Sequence, residues 1–215
     1  MLIFFLIKAQ IILHYSTAYV LFVSDYFGSQ SKLWHLLLAE QILFPIHPIV
    51  LPGSNVWKPQ DVCLYGDSQV LGLTYGPLKR EPKPMPPILL HICSALERFC
   101  AKLLGAQLPS QANLNLVLVN RYVNGKDSMG MHADIEPSLG ATPYIVSLSL
   151  GASCKFQFKH KTTGNTKDIP LKDGSLIIMI GWDIQNNWKH GVPKTKKQSG
   201  MRWNLSFRYH EYKNK

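Results

Sequence analysis

The sequence predicts an α+β fold, mainly β, with helices from the N-terminal half packed on one side of a β-sandwich or jelly roll. Two observations carry this. Helical apolar spacing with start and stop signals occurs twice, both times before residue 105; after about residue 113 the chain breaks into short apolar or alternating runs divided by turn residues. At 215 residues the chain can bury a full core as one domain without staples. It shows no internal repeat, no low-complexity tract and no composition break that would mark a second domain.

Taken in order, the first 23 residues are strongly apolar, with Met1–Ile7, Ile11–Leu13 and Tyr19–Val23 as the runs. Lys8, Gln10, His14, Ser16 and Thr17 interrupt them, so the stretch falls short of a clean spanning helix. It also lacks the basic n-region and small-residue cleavage site of a signal peptide. Residues 1–23 are expected to form buried strands or an added apolar arm, with a membrane anchor as the alternative. Ser24-Asp25 precedes a helical pattern through Leu33, Leu36, Leu37 and Glu40 that ends before Pro45 and Pro48. Residues 45–88 read as irregular and hairpin-like, with Tyr65-Gly66-Asp67 and Tyr75-Gly76 as turn punctuation. Pro82, Pro84, Pro86 and Pro87 stiffen the approach to a second helix over 88–104, closed by Gly105. Strand runs follow at 113–122, 143–150, 153–160, 167–170, 175–180 and 202–209, separated by turns such as Asn124-Gly125 and Thr163-Gly164-Asn165. The domain reading is therefore the arm, then one domain over 24–215, with helices and irregular segments in 24–110 and the β core in 111–215.

The formal charge of +10 is unevenly spread: residues 151–215 hold 13 Lys and Arg against 4 Asp and Glu, and residues 1–150 hold 10 against 9. Charge localised in this way suggests a polyanionic partner such as nucleic acid. A basic face kept for solubility is the other reading. Cys63, Cys93, Cys100 and Cys154 form no CxxC pair and no metal-ligand spacing, which fits a reduced, intracellular protein, cytoplasmic or nuclear.

Three parts of the β half carry chemistry. In His132-Ala133-Asp134, an extended backbone projects imidazole and carboxylate the same way, and a second histidine follows in Trp188-Lys189-His190-Gly191. Two histidines and a carboxylate make the facial triad that holds Fe(II) with open positions for substrate and oxygen. Taken alone, a His-x-Asp pair is more often a turn or a cap. In residues 114–122, Leu114, Leu116, Leu118, Asn120 and Tyr122 share a face; an ordinary strand end reaching solvent has the same pattern. In residues 202–208, Arg202, Asn204, Ser206 and Arg208 share one face and Trp203, Leu205 and Phe207 the other. That polar row suits capture of a small anion, because guanidinium binds carboxylate in a planar, bidentate way. A surface strand binding phosphates is the alternative.

The order and spacing of six blocks resemble the AlkB family of Fe(II)/2-oxoglutarate dioxygenases. The blocks are Asn120-x-Tyr122; Gly125-x-Asp127-Ser128-Met129-Gly130-x-His132-Ala133-Asp134-x-Glu136; Ser147-Leu148-Ser149-Leu150-Gly151-Ala152; Asp173-Gly174-Ser175-Leu176; His190-Gly191-Val192-Pro193-Lys194; and Arg202-x-Asn204-x-Ser206-Phe207-Arg208. The likeness runs from about Asp61 to Tyr209, and the third block and the His132–Glu136 wording are closest to the DNA-repair branch.

The resemblance implies a double-stranded β-helix and oxidative demethylation of N-alkylated bases in DNA, or in RNA, using Fe(II), 2-oxoglutarate and O2 and releasing aldehyde, succinate and CO2. It implies His132, Asp134 and His190 as metal ligands. Arg202 would take the far carboxylate of 2-oxoglutarate, helped by Asn120, Tyr122, Asn204 and Ser206, and Arg208 would bind the keto-acid end and steady Asp134. Glu136 and, in a lid hairpin, Tyr75 would meet the base. Lys155, Lys159, Lys161, Lys194, Lys196 and Lys197 are the expected phosphate contacts, and a monomer without an obligate protein partner is expected. The chain departs from the family's usual wording at Pro59-Gln60, Leu73, Met85 and Ser206, which alters the lid and spares the metal and co-substrate positions. A demethylase acting on RNA or protein, or an inactive nucleic-acid-binding module, are the alternatives.

Overall fold

The structure, a computed structural model, describes residues 9–44, 61–70, 72–75, 78–196 and 200–213. Two antiparallel sheets face one another. The larger runs in the order β1 (Ala9–His14), β2 (Tyr19–Val23), β11 (Ser175–Ile180), β8 (Tyr144–Gly151), β13 (Arg202–Arg208), β6 (Leu116–Tyr122) and β3 (Asp61–Gly66). The smaller runs β10 (Thr166–Leu171), β9 (Cys154–His160), β12 (Trp188–Val192) and β7 (Met129–His132). Strands β11, β8, β13 and β6 oppose these four, which makes the jelly roll, a double-stranded β-helix. Strands β1 and β2 extend one edge of the larger sheet and β3 the other. A short hairpin, β4 (Leu73–Tyr75) and β5 (Leu78–Arg80), stands apart.

Helices α1 (Gly28–Gln41) and α2 (Pro87–Leu104) cover the outer face of the larger sheet, and α3 (Trp182–Asn187) links β11 to β12. Helix α2 starts with Pro at its first position, where no backbone N–H is needed, and ends at Gly105 with φ of 53°. Its buried positions Ile88, Leu89, Ile92, Leu96, Phe99, Cys100 and Leu103 recur at helical spacing, so one face is continuous with the core.

Helix α1 forms where the sequence pattern predicts a helix, and packing decides which side is buried. Leu33 and Leu36 are exposed, and the buried positions are Ser31, Trp34 and Leu38. Trp34 packs on Phe27, with ring centroids 5.3 Å apart, and so sets which side faces inward. Ser31 is accepted there because its hydroxyl donates to Asp173 at 2.5 Å. Asp173 also accepts the N–H of Gly151, and at neighbouring Gly174, where φ is 72°, a Cβ would collide with the backbone of Phe27 and Gly28. The Asp-Gly turn thus docks the start of α1 on the sheet.

The two faces of β13 define the interior. Trp203, Leu205 and Phe207 are fully buried under the helices; such side chains contribute about 1.5–3 kcal/mol each. The other face looks into the space between the sheets, not into solvent, so Arg202, Asn204 and Arg208 are buried as well.

Residues 9–23 supply β1 and β2; residues 1–8 lie outside the described residues. Among the described residues no helix is long and apolar enough to cross a membrane. Leu73 is fully buried in a small cluster with Val62, Leu64, Val70, Leu116 and Leu118, which is why an apolar residue stands there. Pro59-Gln60, Gly76 and Lys197 fall outside the described residues, as does the side chain of Tyr75.

Candidate active site

Strands β7 and β12 pair so that His132 lies opposite His190. Both imidazoles therefore project from one face at the same level, with ring centroids 4.5 Å apart. The strands can approach this closely because residue 191 is glycine: a Cβ there would lie 2.8 Å from the carbonyl of Met129. Asp134, just past the end of β7, completes the cluster. Donor atoms of His132, Asp134 and His190 all lie within 4.8 Å of one another, and among the described residues this is the cluster that could hold a metal ion. His190 Nε2 is 3.6 Å from one Asp134 oxygen and His132 Nε2 is 3.9 Å from the other. Two neutral nitrogens and one carboxylate on one side of an ion are a donor set for Fe(II) with open positions.

The electrostatics leave Asp134 and His190 in metal-binding form. Burial pushes the Asp134 carboxyl up, but electrostatic interactions, first with Arg208 and then with His190, His132 and His210, outweigh it and hold it at about 2. Burial, with the nearby His132 and Arg208, brings His190 down to about 3, against the pull of Asp134. An anionic carboxylate and a neutral imidazole are what a metal requires. Arg208 Nη1 donates to Asp134 at 3.3 Å. His132 Nδ1 meets the carbonyl of Gly130 at 2.9 Å, which turns Nε2 toward the cluster.

The polar row of β13 runs away from this cluster. Asn204 pairs with Asn120 on β6 and Ser149 on β8, and Arg202 with Tyr122 and Gly151. Leu118, Asn120, Tyr122, Ser147, Asn204, Ser206 and Arg208 line one cavity with the three metal-type residues. Arg202 lies one step beyond Asn204, stacked 4.5 Å over the Tyr122 ring. Its Nη2 donates to Ser149 at 2.8 Å, while among the described residues Nε and Nη1 meet no acceptor, although the residue is only 1% exposed. A buried cation with two unclaimed donors is costly unless an anion completes it. Burial raises the Tyr122 hydroxyl to about 12 despite Arg202, so it stays a neutral donor beside that place. The residues thus fit both groups: an ion at the triad and a small dicarboxylate along β13.

Of the residues expected from sequence, the structure brings together His132, Asp134, His190, Asn120, Tyr122, Asn204, Ser206 and Arg208, with Arg202 adjoining. Glu136 stays outside the cavity wall but close enough to feel it: burial raises its carboxyl, Arg208 lowers it and Asp134 raises it. Lys155 is paired with Asp168 at 2.9 Å and Lys161 donates to the carbonyl of Gln185, so these two are already engaged. Sequence reasoning assigned no role to Ser147, Ser149 or Gln185. The two serines alternate with Val146, Leu148 and Leu150 along β8, a period-two signal that could have placed them on the polar face. Gln185, 1% exposed on α3, accepts the N–H of Asp134 at 3.0 Å, and no local pattern announces that contact.

Residues 24–208 match the family described as the 2OG-Fe(II) oxygenase superfamily. The chain is 35% identical over 161 residues to alpha-ketoglutarate-dependent dioxygenase alkB homolog 3 of Bos taurus, covering 70% of this chain and 51% of that protein. It is 32% identical over 182 residues to DNA oxidative demethylase ALKBH2 of Arabidopsis thaliana, covering 73% and 54%. The chain thus spans about half the length of these curated relatives. The solved structure of OsALKBH1 superposes with a TM-score of 0.60 at 18% identity, covering 94% of this chain and 100% of that one, a likeness of fold.

Proposed function

The chain belongs to the 2OG-Fe(II) oxygenase superfamily and, within it, to the AlkB family, and from that premise we propose that it oxidatively demethylates N-alkylated bases in DNA. The observation that carries this is the β13 face: a guanidinium with two unclaimed buried donors at one end, and at the other a guanidinium bonded to the carboxylate of a His-Asp-His cluster.

His132, Asp134 and His190 would hold Fe(II), and Arg202, Tyr122, Asn120, Asn204 and Ser206 would hold 2-oxoglutarate. Bound there, iron with 2-oxoglutarate and oxygen supplies the oxidation that converts an N-alkyl carbon to an aldehyde, with succinate and CO2 as co-products. Arg208 keeps Asp134 anionic and fixes its orientation. Arg202 neutralises a carboxylate that would otherwise be buried unpaired. Glu136, one step beyond the ligand loop, accepts a hydrogen bond from an exocyclic amine of the base, and Tyr75 stacks on it. A base inside a duplex cannot reach such a site, so the substrate is single-stranded or flipped out, at a cost of about a few kcal/mol that a lesion reduces.

Succinate release on methylated single-stranded DNA, methylated RNA and a methylated peptide, with and without Fe(II), tests this. Iron-dependent succinate with loss of the methyl group from DNA is expected. Turnover on RNA or peptide alone would move the assignment to those substrates, and no turnover on any of them would overturn it.

A further inference from the structure

We propose that the outer face of the smaller sheet, around Lys159 and Lys189, binds the phosphate backbone of the nucleic acid whose base enters the metal site. This inference rests on the function proposed above and adds where the strand is held. Strand register places Lys189 directly opposite Lys159, and both are exposed. Like charges facing each other across an antiparallel pair repel, so the pair weakens the sheet unless an anion lies over it. On the same face the neighbouring cation is compensated: Lys155 is paired with Asp168, which also accepts from Gln157. Among the described residues, no ion pair joins Lys159 or Lys189 to a carboxylate.

Position relative to the triad gives this pair its meaning. Lys189 precedes His190, so its side chain leaves the opposite face of β12 from the imidazole. Strand β7, on the other side of β12, is the sheet edge and carries His132, whose side chain is 40% exposed against 6% for His190. The triad therefore opens toward β7. At ~4.8 Å between strands, Lys189 and Lys159 stand one and two strand spacings from that opening. A backbone crossing β12 and β9 can leave its phosphates on the two ammonium groups while one nucleotide turns over the β7 edge.

The test is fluorescence anisotropy of an unmodified single-stranded DNA across a salt series. The proteins are the wild type, the Lys159→Ala/Lys189→Ala double variant, and a Lys32→Ala/Lys102→Ala control that removes equal charge from the helical side. A single strand releases about 0.7 counterion per phosphate neutralised, so the salt slope should fall by about 1.4 in the double variant and stay unchanged in the control. Binding of 2-oxoglutarate in the presence of Mn(II) serves as the check that the double variant is folded. An unchanged slope in the double variant, or an equal fall in the control, overturns the surface. Since this binding needs no turnover, a wild type that demethylates DNA while the double variant keeps its slope discards the surface alone. A wild type that neither binds nor demethylates nucleic acid discards both.

Discussion

Gln185 joins two of the three metal-type residues. Its side-chain carbonyl holds the N–H of Asp134, and its helix leads directly into the strand bearing His190. Supports of this kind typically cost 10–100-fold in metal affinity when removed. Gln185→Met, which keeps the volume and loses the acceptor, should weaken Mn(II) binding by roughly that factor, with little change in melting temperature, as read by electron paramagnetic resonance. Equal affinity would mean that the loop is held by its other contacts. At this scale the sequence was informative where chemistry repeats at short spacing. His132 and Asp134 lie two apart, and the row from Arg202 to Arg208 alternates strictly, so backbone geometry alone aligns them. Gln185 reaches Asp134 across 51 residues, and only the packing of α3 against the ligand loop makes that contact.

Among the elements, α2 was legible because its apolar positions keep one face through nearly five turns and its ends carry Pro and Gly signals. Removing part of that face should be costly: Ile92→Ala, at a fully buried site, should destabilise by about 2–5 kcal/mol in a denaturant titration. A cost well below this would mean that the helix does not carry the core. Helix α1 was legible as a helix but its inward side was not, since Leu33 and Leu36 are exposed while Trp34 and Leu38 are buried. Strands β7 and β12 escaped notice for another reason. Each is short and interrupted by glycine, with polar or half-buried positions, so neither shows the alternation that marks a strand. They form because their partners exist, and Gly191 allows the close pairing that brings His132 to His190.

Across the molecule, the larger sheet separates an apolar layer under the helices from the space between the sheets, where a second apolar cluster adjoins a chamber with a polar row. All four cysteines are buried and reduced. Burial pushes Cys93 and Cys100 from 9.0 up to about 12, so neither should react with thiol reagents at pH 8 until the chain unfolds. Because their folded values are raised, the stability they contribute is complete below the ordinary thiol range and is lost as pH rises from about 9 toward 12. A thiol titration with and without denaturant checks the first point; fast modification of the native protein would contradict it. The basic charge of the C-terminal third also divides by layer: Arg202 and Arg208 face the chamber, whereas Lys159 and Lys189 face solvent. What the chamber holds is decided most directly by titrating 2-oxoglutarate into Mn(II)-loaded wild-type and Arg202→Ala protein. If β13 holds the co-substrate, affinity should fall by about 30-fold or more in the variant, the usual loss when one partner of a buried charge pair is removed. Equal affinity in the two proteins would contradict it.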